Sequence, residues 1–449
     1  MTLALIILAA GKGTRMRSDL PKVLHPIAGA PMLVHAMMAA DPLAPARRVV
    51  VAGHGAARVR AAALAQDPAA EVVLQTVQNG TAHAVDQARD TLADFDGDAV
   101  VLYGDTPFVS AQTLGRIAAA RADGADVVVL GFQAADPGRY GRLVVEGDAL
   151  ARIVEAKDAT KDELAITLCN SGVVCADRAV LFDLIAQVGN DNASGEYYLT
   201  DIVGLANDAG LRCAVVECAE AETLGVNSRV DLAAAEAQFQ TRARVAAMEN
   251  GATLVAPETV HFAHDTRLGR DVMVEPNVVF GPGVVVSDGV TLRAFSHLEG
   301  CTVETGAVVG PYARLRPGSQ IGAGARIGNF VETKQAEIAA GAKVNHLSYI
   351  GDATVGAAAN IGAGTITCNY DGVMKHRTEI GENAFIGSNS ALVAPVTVGA
   401  GASVGAGSVI TRNVPDDALA VSRAEQQIKP GLAKRLRARL LALKAQRKA

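Results

Sequence analysis

The stretch IGENAFIGSNSALVAPVTVGAGASVGAGSVI, residues 380–410, repeats every six residues. Ile380, Ile386, Leu392, Val398, Val404 and Ile410 are all aliphatic, and Gly, Ala or Ser commonly follows each. A period of six fits neither the two-residue alternation of a strand nor the 3.6-residue turn of a helix. It fits a chain in which each hexad is one short strand plus a tight corner, with the aliphatic side chain pointing inward. The architecture expected is a parallel β-helix of hexapeptide repeats. Upstream, Leu268, Val274, Phe280, Val286, Leu292 and Leu298 keep the step. After a slip of five, Val303, Val309, Leu315, Ile321 and Ile327 resume it; Ile338, Val344 and Ile350 follow, then, after another slip, Val355 and Ile361. Nearly the whole second half of the chain therefore reads as one solenoid.

At 449 residues the chain exceeds one typical core, and a prior of about 150 residues per domain suggests two or three. With 45 Gly, no Trp and 4% aromatics, it suits Ala-rich helices and close solenoid corners rather than disorder. A net charge of -6 gives no reason to expect a nucleic-acid partner. The last sixteen residues, from Lys434, carry seven Lys or Arg and read as a solvated, basic amphipathic helix. Cys169, Cys175, Cys213, Cys218, Cys301 and Cys368 contain no C-x-x-C pair and are expected as buried, reduced thiols of a cytoplasmic protein. The apolar run 3–10 lacks a basic leader and is too short to span a bilayer, so no targeting or membrane segment is expected.

That run reads as a buried strand feeding Ala9-Ala10-Gly11-Lys12-Gly13-Thr14-Arg15-Met16 and then Leu20-Pro21-Lys22. Further strands are expected at 48–52, 71–74, 99–103 and 126–131, with helical stretches between. The alternation argues for a parallel, Rossmann-like sheet over roughly the first 220 residues. A Gly-rich loop at a strand's C-terminal end is where such a sheet binds its ligand. Gly11 and Gly13 let backbone N–H groups approach phosphates, and Arg15 and Lys22 add positive charge. The loop matches neither the Walker A pattern nor G-x-G-x-x-G, which argues against a P-loop ATPase and a dehydrogenase. Asp105, in Tyr103-Gly104-Asp105-Thr106-Pro107, stands just past a strand where a carboxylate can hold Mg2+ opposite phosphates; the plainer role is a helix cap. Asn227 could be a second ligand, or a turn residue. Residues 228–250 contain no Pro or Gly and read as a long connecting helix that acts as a spacer.

The run L-A-A-G-K-G-T-R-M, with P-K beyond it, G-T at Gly80-Thr81 and Y-G-D at Tyr103 to Asp105, resembles the sugar-phosphate nucleotidyltransferases. With the C-terminal half included, the chain resembles, over essentially its full length, the bacterial bifunctional N-acetylglucosamine-1-phosphate uridylyltransferase and glucosamine-1-phosphate N-acetyltransferase family. The resemblance implies a uridylyltransferase domain at 1–227, a linker helix at 228–250 and a left-handed β-helix acetyltransferase domain at 251–449. Leu8, Ala9, Gly11, Gln75, Gly80, Thr81 and Tyr103 would contact the uridine nucleotide and Arg15 and Lys22 its phosphates; Asp105 and Asn227 would hold Mg2+. Gly141, Glu155 and Asn170, with Asn227, would form the amino-sugar pocket. Ala82 stands where Gly is common in the family and Ser171 where Thr is, which touches fine substrate contacts only. The chemistry implied is in-line attack of the sugar phosphate on the α-phosphorus of UTP, driven by positioning and charge neutralisation.

In the solenoid the polar exceptions are informative. The hexads break at Asn329-Phe330-Val331-Glu332-Thr333-Lys334, at Asn345-His346-Leu347-Ser348-Tyr349, and over 365–378, which is expected to loop out entirely as a binding face. A lone His is more often structural than catalytic, but Glu332, Lys334, His346, Tyr349, Asn360, Asn369 and Tyr370 fall on neighbouring coils stacked about 4.8 Å apart. By resemblance, Arg316, Lys334, Tyr349 and Asn360 bind the amino-sugar phosphate, and Ala363, Asn369, Tyr370, Ser388, Ala406 and Arg423 contact acetyl-CoA. His346 matches the general base. An imidazole with an ordinary pKa near 6.5 suits proton removal from an attacking amine. The family also implies a homotrimer that makes UDP-N-acetylglucosamine for peptidoglycan and lipopolysaccharide. Two alternatives remain: a single-function pyrophosphorylase with a merely structural β-helix, or a non-catalytic interaction protein.

Overall fold

The computed structural model describes residues 2–147 and 149–447, so Lys448 of the basic run lies outside the described residues. It divides into two compact units, 1–243 and 244–449. They part inside the helix Arg229–Glu249, whose first half packs Ala235 against Ile27, Met32, Phe108 and Val226 of the first unit. Part of the expected spacer thus belongs to the first unit's packing.

In that unit one sheet runs in the order Cys213–Cys218, Val127–Gln133, Leu168–Asp177, Asp98–Tyr103, Leu3–Ala9, Arg47–Ala52, Glu71–Leu74. The neighbours of Leu3–Ala9 are parallel, as expected from its continuous apolar run. Leu3, Leu5 and Ile7 pack in one cluster while Ala4, Ile6 and Leu8 pack in the other, so both faces of the sheet are covered. One strand departs from the expected parallel, Rossmann-like sheet: Leu168–Asp177 runs antiparallel to both of its neighbours on the sheet path. The hairpin of Arg142–Glu146 and Ala149–Val154, joined to that strand through Cys169 and Arg142, precedes it. The chain reverses in that hairpin, and Leu168–Asp177 keeps the direction of Ala149–Val154, since both run antiparallel to Arg142–Glu146.

The second unit is a parallel β-helix. Two- and three-residue strands recur from Thr253–Leu254 to Leu419–Ala420, and each pairs in parallel with a strand about one coil away. Every aliphatic residue of the six-residue series is buried except Leu268, which is half-buried on an early coil. Thr333 pairs with Leu315 below and Ile350 above, and Thr367 pairs with Leu392. Both threonines are fully buried, so two inward positions are filled by polar residues that an aliphatic pattern passes over.

For this reason the segment 365–378 does not loop out as a whole. Thr365, Thr367 and Thr378 are buried in the coil, and Ile366–Cys368 and Thr378–Ile380 are strands. The excursion is 369–377, where Tyr370 pairs back with Lys375. Thr365 donates to the carbonyl of Gly362 at 2.7 Å and Thr367 to that of Gly351 at 3.0 Å, which lets a hydroxyl occupy the core. The basic helix Leu432–Gln446 buries none of its residues, as its composition suggested.

Candidate active sites

In the first unit the loop after Leu3–Ala9 meets the end of Asp98–Tyr103. Leu8 and Tyr103 are register partners, and the Gly104 N–H donates to the Leu8 carbonyl at 2.9 Å. A Cβ on Gly104 would lie 3.2 Å from Val23 and 3.3 Å from that carbonyl, so the two loops approach closely because position 104 has no side chain. One cleft is lined by Leu8, Ala9, Gly11, Lys22, Gln75, Gly80, Thr81, Tyr103 and Asp105, nearly the whole expected nucleotide set. Arg15 is the exception: it stands exposed on the short turn Thr14–Met16, outside that lining.

Gly80 takes a φ of +115°, and a Cβ there would meet the Tyr197 carbonyl at 2.5 Å, so Gly is required where the chain enters the helix Thr81–Asp86. Gln75 is buried and donates to the Gly80 carbonyl at 3.1 Å. Gln78, which no motif singled out, donates to the Ala10 carbonyl at 2.7 Å, and it and Glu196 also line the cleft.

Asp105 and Asn227, 122 positions apart in sequence, are joined by Lys22. The ammonium forms an ion pair with Asp105 Oδ2 and donates to Asn227 Oδ1 at 3.0 Å. The Val226 N–H donates to the Asp105 carbonyl at 2.9 Å, and Asp231 accepts from the N–H groups of Asn227 and Ser228 at 3.0 and 2.9 Å. The start of the long helix thereby fixes Asn227 beside Asp105. Two hard oxygens already sharing one cation are chemically suited to Mg2+. Among the described residues no group of three or more His, Cys, Asp or Glu side chains could hold a metal alone.

Beside this cleft, Tyr103 also lines a smaller pocket with Ile153, Asn170, Gly172 and Thr200. The Asn170 N–H donates to the Gly141 carbonyl at 2.8 Å, and a Cβ on Gly141 would lie 3.6 Å from Glu155 Oε1. Gly141, Glu155 and Asn170, three of the four residues expected for the amino sugar, are therefore together, while the fourth, Asn227, stands with Lys22 and Asp105. Burial lifts the Glu155 carboxyl above its ordinary range, opposed by a hydrogen bond from Thr200 at 3.2 Å. Thr200 was not legible in advance, because it reaches Glu155 from 45 residues away and carries no motif.

In the second unit His346 ends the strand Lys343–His346, exposed, with Nδ1 2.8 Å from Asn329 Oδ1 on the adjacent coil. An amide oxygen can only accept, so in the neutral ring Nδ1 carries the proton and Nε2 keeps the lone pair. Successive coils continue upward from this corner: Gly364 N–H donates to the His346 carbonyl, Asn389 N–H to that of Ala363, and Gly407 N–H to that of Ser388. Arg423 donates to the Ala406 carbonyl at 2.5 Å. His346, Ala363, Ser388, Ala406 and Arg423 thus climb one corner as a row.

A second group lies around the bend. Arg316 pairs with Glu332 at 2.9 Å, Glu332 sits beside Tyr349, and Lys334 beside Gly351. Asn369 donates to Asp352, and Lys334 approaches Lys375 closely enough that the second ammonium lowers its pKa. Asn369 and Tyr370 therefore stand with the Lys334 group. Asn360, on Asn360–Ile361, pairs with Lys343 on the face that carries His346. Lys375 was missed as a site residue, although it lay within a segment read as a binding loop.

The first unit matches the MobA-like NTP transferase domain over residues 5–199, and residues 377–412 match the bacterial transferase hexapeptide repeat. The chain is a nucleotidyltransferase domain followed by hexapeptide transferase repeats. Curated relatives called bifunctional protein GlmU align along nearly its whole length: 66% identical over 445 residues in Ruegeria pomeroyi and 64% over 445 in Roseobacter denitrificans, covering 99% of each chain. Among solved structures, UDP-glucose pyrophosphorylase complexed with UDP-glucose overlays at a TM-score of 0.44 and 16% identity, over 54% of this chain and 100% of that one. The chain belongs to the bifunctional GlmU family.

Proposed function

We propose that the two polar constellations carry two successive reactions: acetyl transfer from acetyl-CoA to glucosamine-1-phosphate at His346, then uridylyl transfer from UTP to N-acetylglucosamine-1-phosphate at the Lys22–Asp105–Asn227 cleft. The bifunctional transferase activity is that of the family; the residue assignment rests on one observation. Each compact unit assembles its own set of sequence-distant polar groups, joined by hydrogen bonds around an open cleft or corner.

In acetyl transfer the neutral amine attacks the thioester carbonyl. His346 Nε2 takes the amine proton and can return it to the departing thiolate, so the products are the amide and the CoA thiol. Asn329 holds the ring in the tautomer that leaves Nε2 basic. Arg316, Lys334 and Lys375 supply cations for the sugar phosphate, with Tyr349 beside them and Asn360 on the face that carries His346; the row Ala363, Ser388, Ala406 and Arg423, together with Asn369 and Tyr370 of the Lys334 group, receives acetyl-CoA.

In uridylyl transfer a phosphate oxygen of the sugar forms a bond to the α-phosphorus and pyrophosphate leaves. Leu8, Ala9, Gly11, Gln75, Gly80, Thr81 and Tyr103 position the nucleotide, Lys22 faces its phosphates from within the cleft, Arg15 adds positive charge from the exposed turn outside that lining, and Gly141, Glu155 and Asn170 orient the amino sugar. Asp105 and Asn227 would hold Mg2+, which when bound neutralises phosphate charge.

A homotrimer is supported by the exposed ladder below His346. Phe295, Tyr312, Phe330 and Leu347 are 51, 48, 56 and 61% exposed on successive coils, the rings stacking at 4.9 and 5.3 Å. Such a stripe on a soluble face calls for a partner surface. Six unpaired cysteines support a reducing, cytoplasmic setting. Among the described residues no helix is long and apolar enough to cross a membrane. The test is purified protein with glucosamine-1-phosphate, acetyl-CoA, UTP and Mg2+, following free thiol and pyrophosphate separately. Appearance of only one product would refute the bifunctional reading.

A further inference from the structure

Arg142 is 2% exposed, yet among the described residues no carboxylate is one of its hydrogen-bond partners. Its guanidinium instead gathers carbonyls: Pro137 at 3.3 Å, Gly138 at 3.2 Å, Leu164 at 3.4 Å, and Tyr140. A buried cation is costly to keep for packing alone, since a shape-matched apolar residue would avoid its desolvation. What these bonds accomplish is to fix the turn 137–141, which ends at the amino-sugar pocket.

The consequence falls on one peptide group. Because a trans peptide is planar, holding the Tyr140 carbonyl toward Arg142 turns the N–H of Gly141 the opposite way. Gly141 has no side chain, and its carbonyl already accepts from Asn170 at 2.8 Å. The group it has left to offer a ligand is that N–H. Its Cα faces Ile153 and Glu155, with a Cβ there falling 3.4 and 3.6 Å from them.

We propose that Arg142 is the positioning residue of the amino-sugar pocket, locking the Tyr140–Gly141 peptide so that the Gly141 N–H is presented as a donor to N-acetylglucosamine-1-phosphate. This rests on the proposed assignment of that pocket. Arg142 itself touches no substrate. Lysine keeps the charge but replaces the planar fork with a single point donor, so it restores the peptide only in part.

The test compares wild type, Arg142→Lys and Arg142→Gln in uridylyl transfer, with acetyl transfer by the same preparations as the control for folding. Arg142→Gln should raise KM for N-acetylglucosamine-1-phosphate about 10- to 100-fold, the range for losing a charge-assisted hydrogen bond. KM for UTP and the acetyl-transfer rate should stay within about 2-fold, as for sites with no shared partner, and Arg142→Lys should fall between wild type and Gln. Should Arg142→Gln not fold, Arg142→Lys alone must show the same split in KM. Equal rises in both KM values, or a fall in kcat with both KM values unchanged, would overturn the proposal. Failure of wild type to use N-acetylglucosamine-1-phosphate would instead overturn the pocket assignment.

Discussion

Replacing Asn329 by alanine removes the acceptor 2.8 Å from His346 Nδ1 and leaves the ring free to turn or to change tautomer. A hydrogen bond of this kind is worth about 0.5–1.5 kcal/mol net, which corresponds to about a 2- to 12-fold fall in kcat/KM for acetyl transfer. His346→Ala removes the base itself and should cost about 10²- to 10⁴-fold. His346 is exposed, so its stability change should stay within about 0.5 kcal/mol. The double variant should be no slower than His346→Ala, because Asn329 has nothing left to orient. The assay follows the CoA thiol with a chromogenic reagent and, in parallel, pyrophosphate release from UTP. Pyrophosphate release from UTP, with N-acetylglucosamine-1-phosphate supplied, should be untouched in all three variants. Equal loss of both rates in His346→Ala would refute the division of labour. An unchanged Asn329→Ala beside a collapsed His346→Ala would refute the orientation argument.

Three further perturbations separate the remaining claims. Thr367 accepts from the buried Gly351 N–H at 2.8 Å, so Thr367→Val should cost about 1–3 kcal/mol in a urea melt. Thr378 Oγ1 is buried with no hydrogen-bond partner among the described residues, so Thr378→Val should be neutral or stabilising by the same measure. Lys375→Ala should raise KM for glucosamine-1-phosphate by up to about 10-fold without changing KM for UTP, as for loss of one exposed phosphate contact. A Glu155 pKa held above its ordinary value means that the folded chain binds more protons than the unfolded chain just above about pH 4. Its contribution to stability is therefore present in acid and lost as pH rises through the folded pKa. The thermal midpoint of wild type should fall relative to Glu155→Gln over that rise, and a parallel pH course for the two proteins would contradict the assignment.

The solenoid was legible because every coil obeys the same constraint, one small interior filled by one inward side chain per hexad. The pattern failed where threonine took that place. Thr333 and Thr367 are invisible to an aliphatic period, yet they sit in register with Leu315 and Leu392 because their hydroxyls find partners inside the coil. The excursion consequently shrank to 369–377. In the first unit the apolar run of Leu3–Ala9 announced a strand covered on both faces. Nothing in 168–177 announced that this strand would run antiparallel between two others, since direction is set by what precedes a strand and not by its composition.

By itself the sequence determined the two architectures, the Gly-rich cationic loop and the set of residues able to do the chemistry, since periodicity and residue type are local properties. Tertiary structure alone decided which of them meet. Lys22 reaches Asn227 across 205 positions and joins it to Asp105, Asn329 sets the tautomer of His346 from the adjacent coil, and Arg15 stays outside the cleft that Lys22 lines. Hydrogen bonds between residues far apart in sequence depend on register and crossover, and those exist only once the chain has folded.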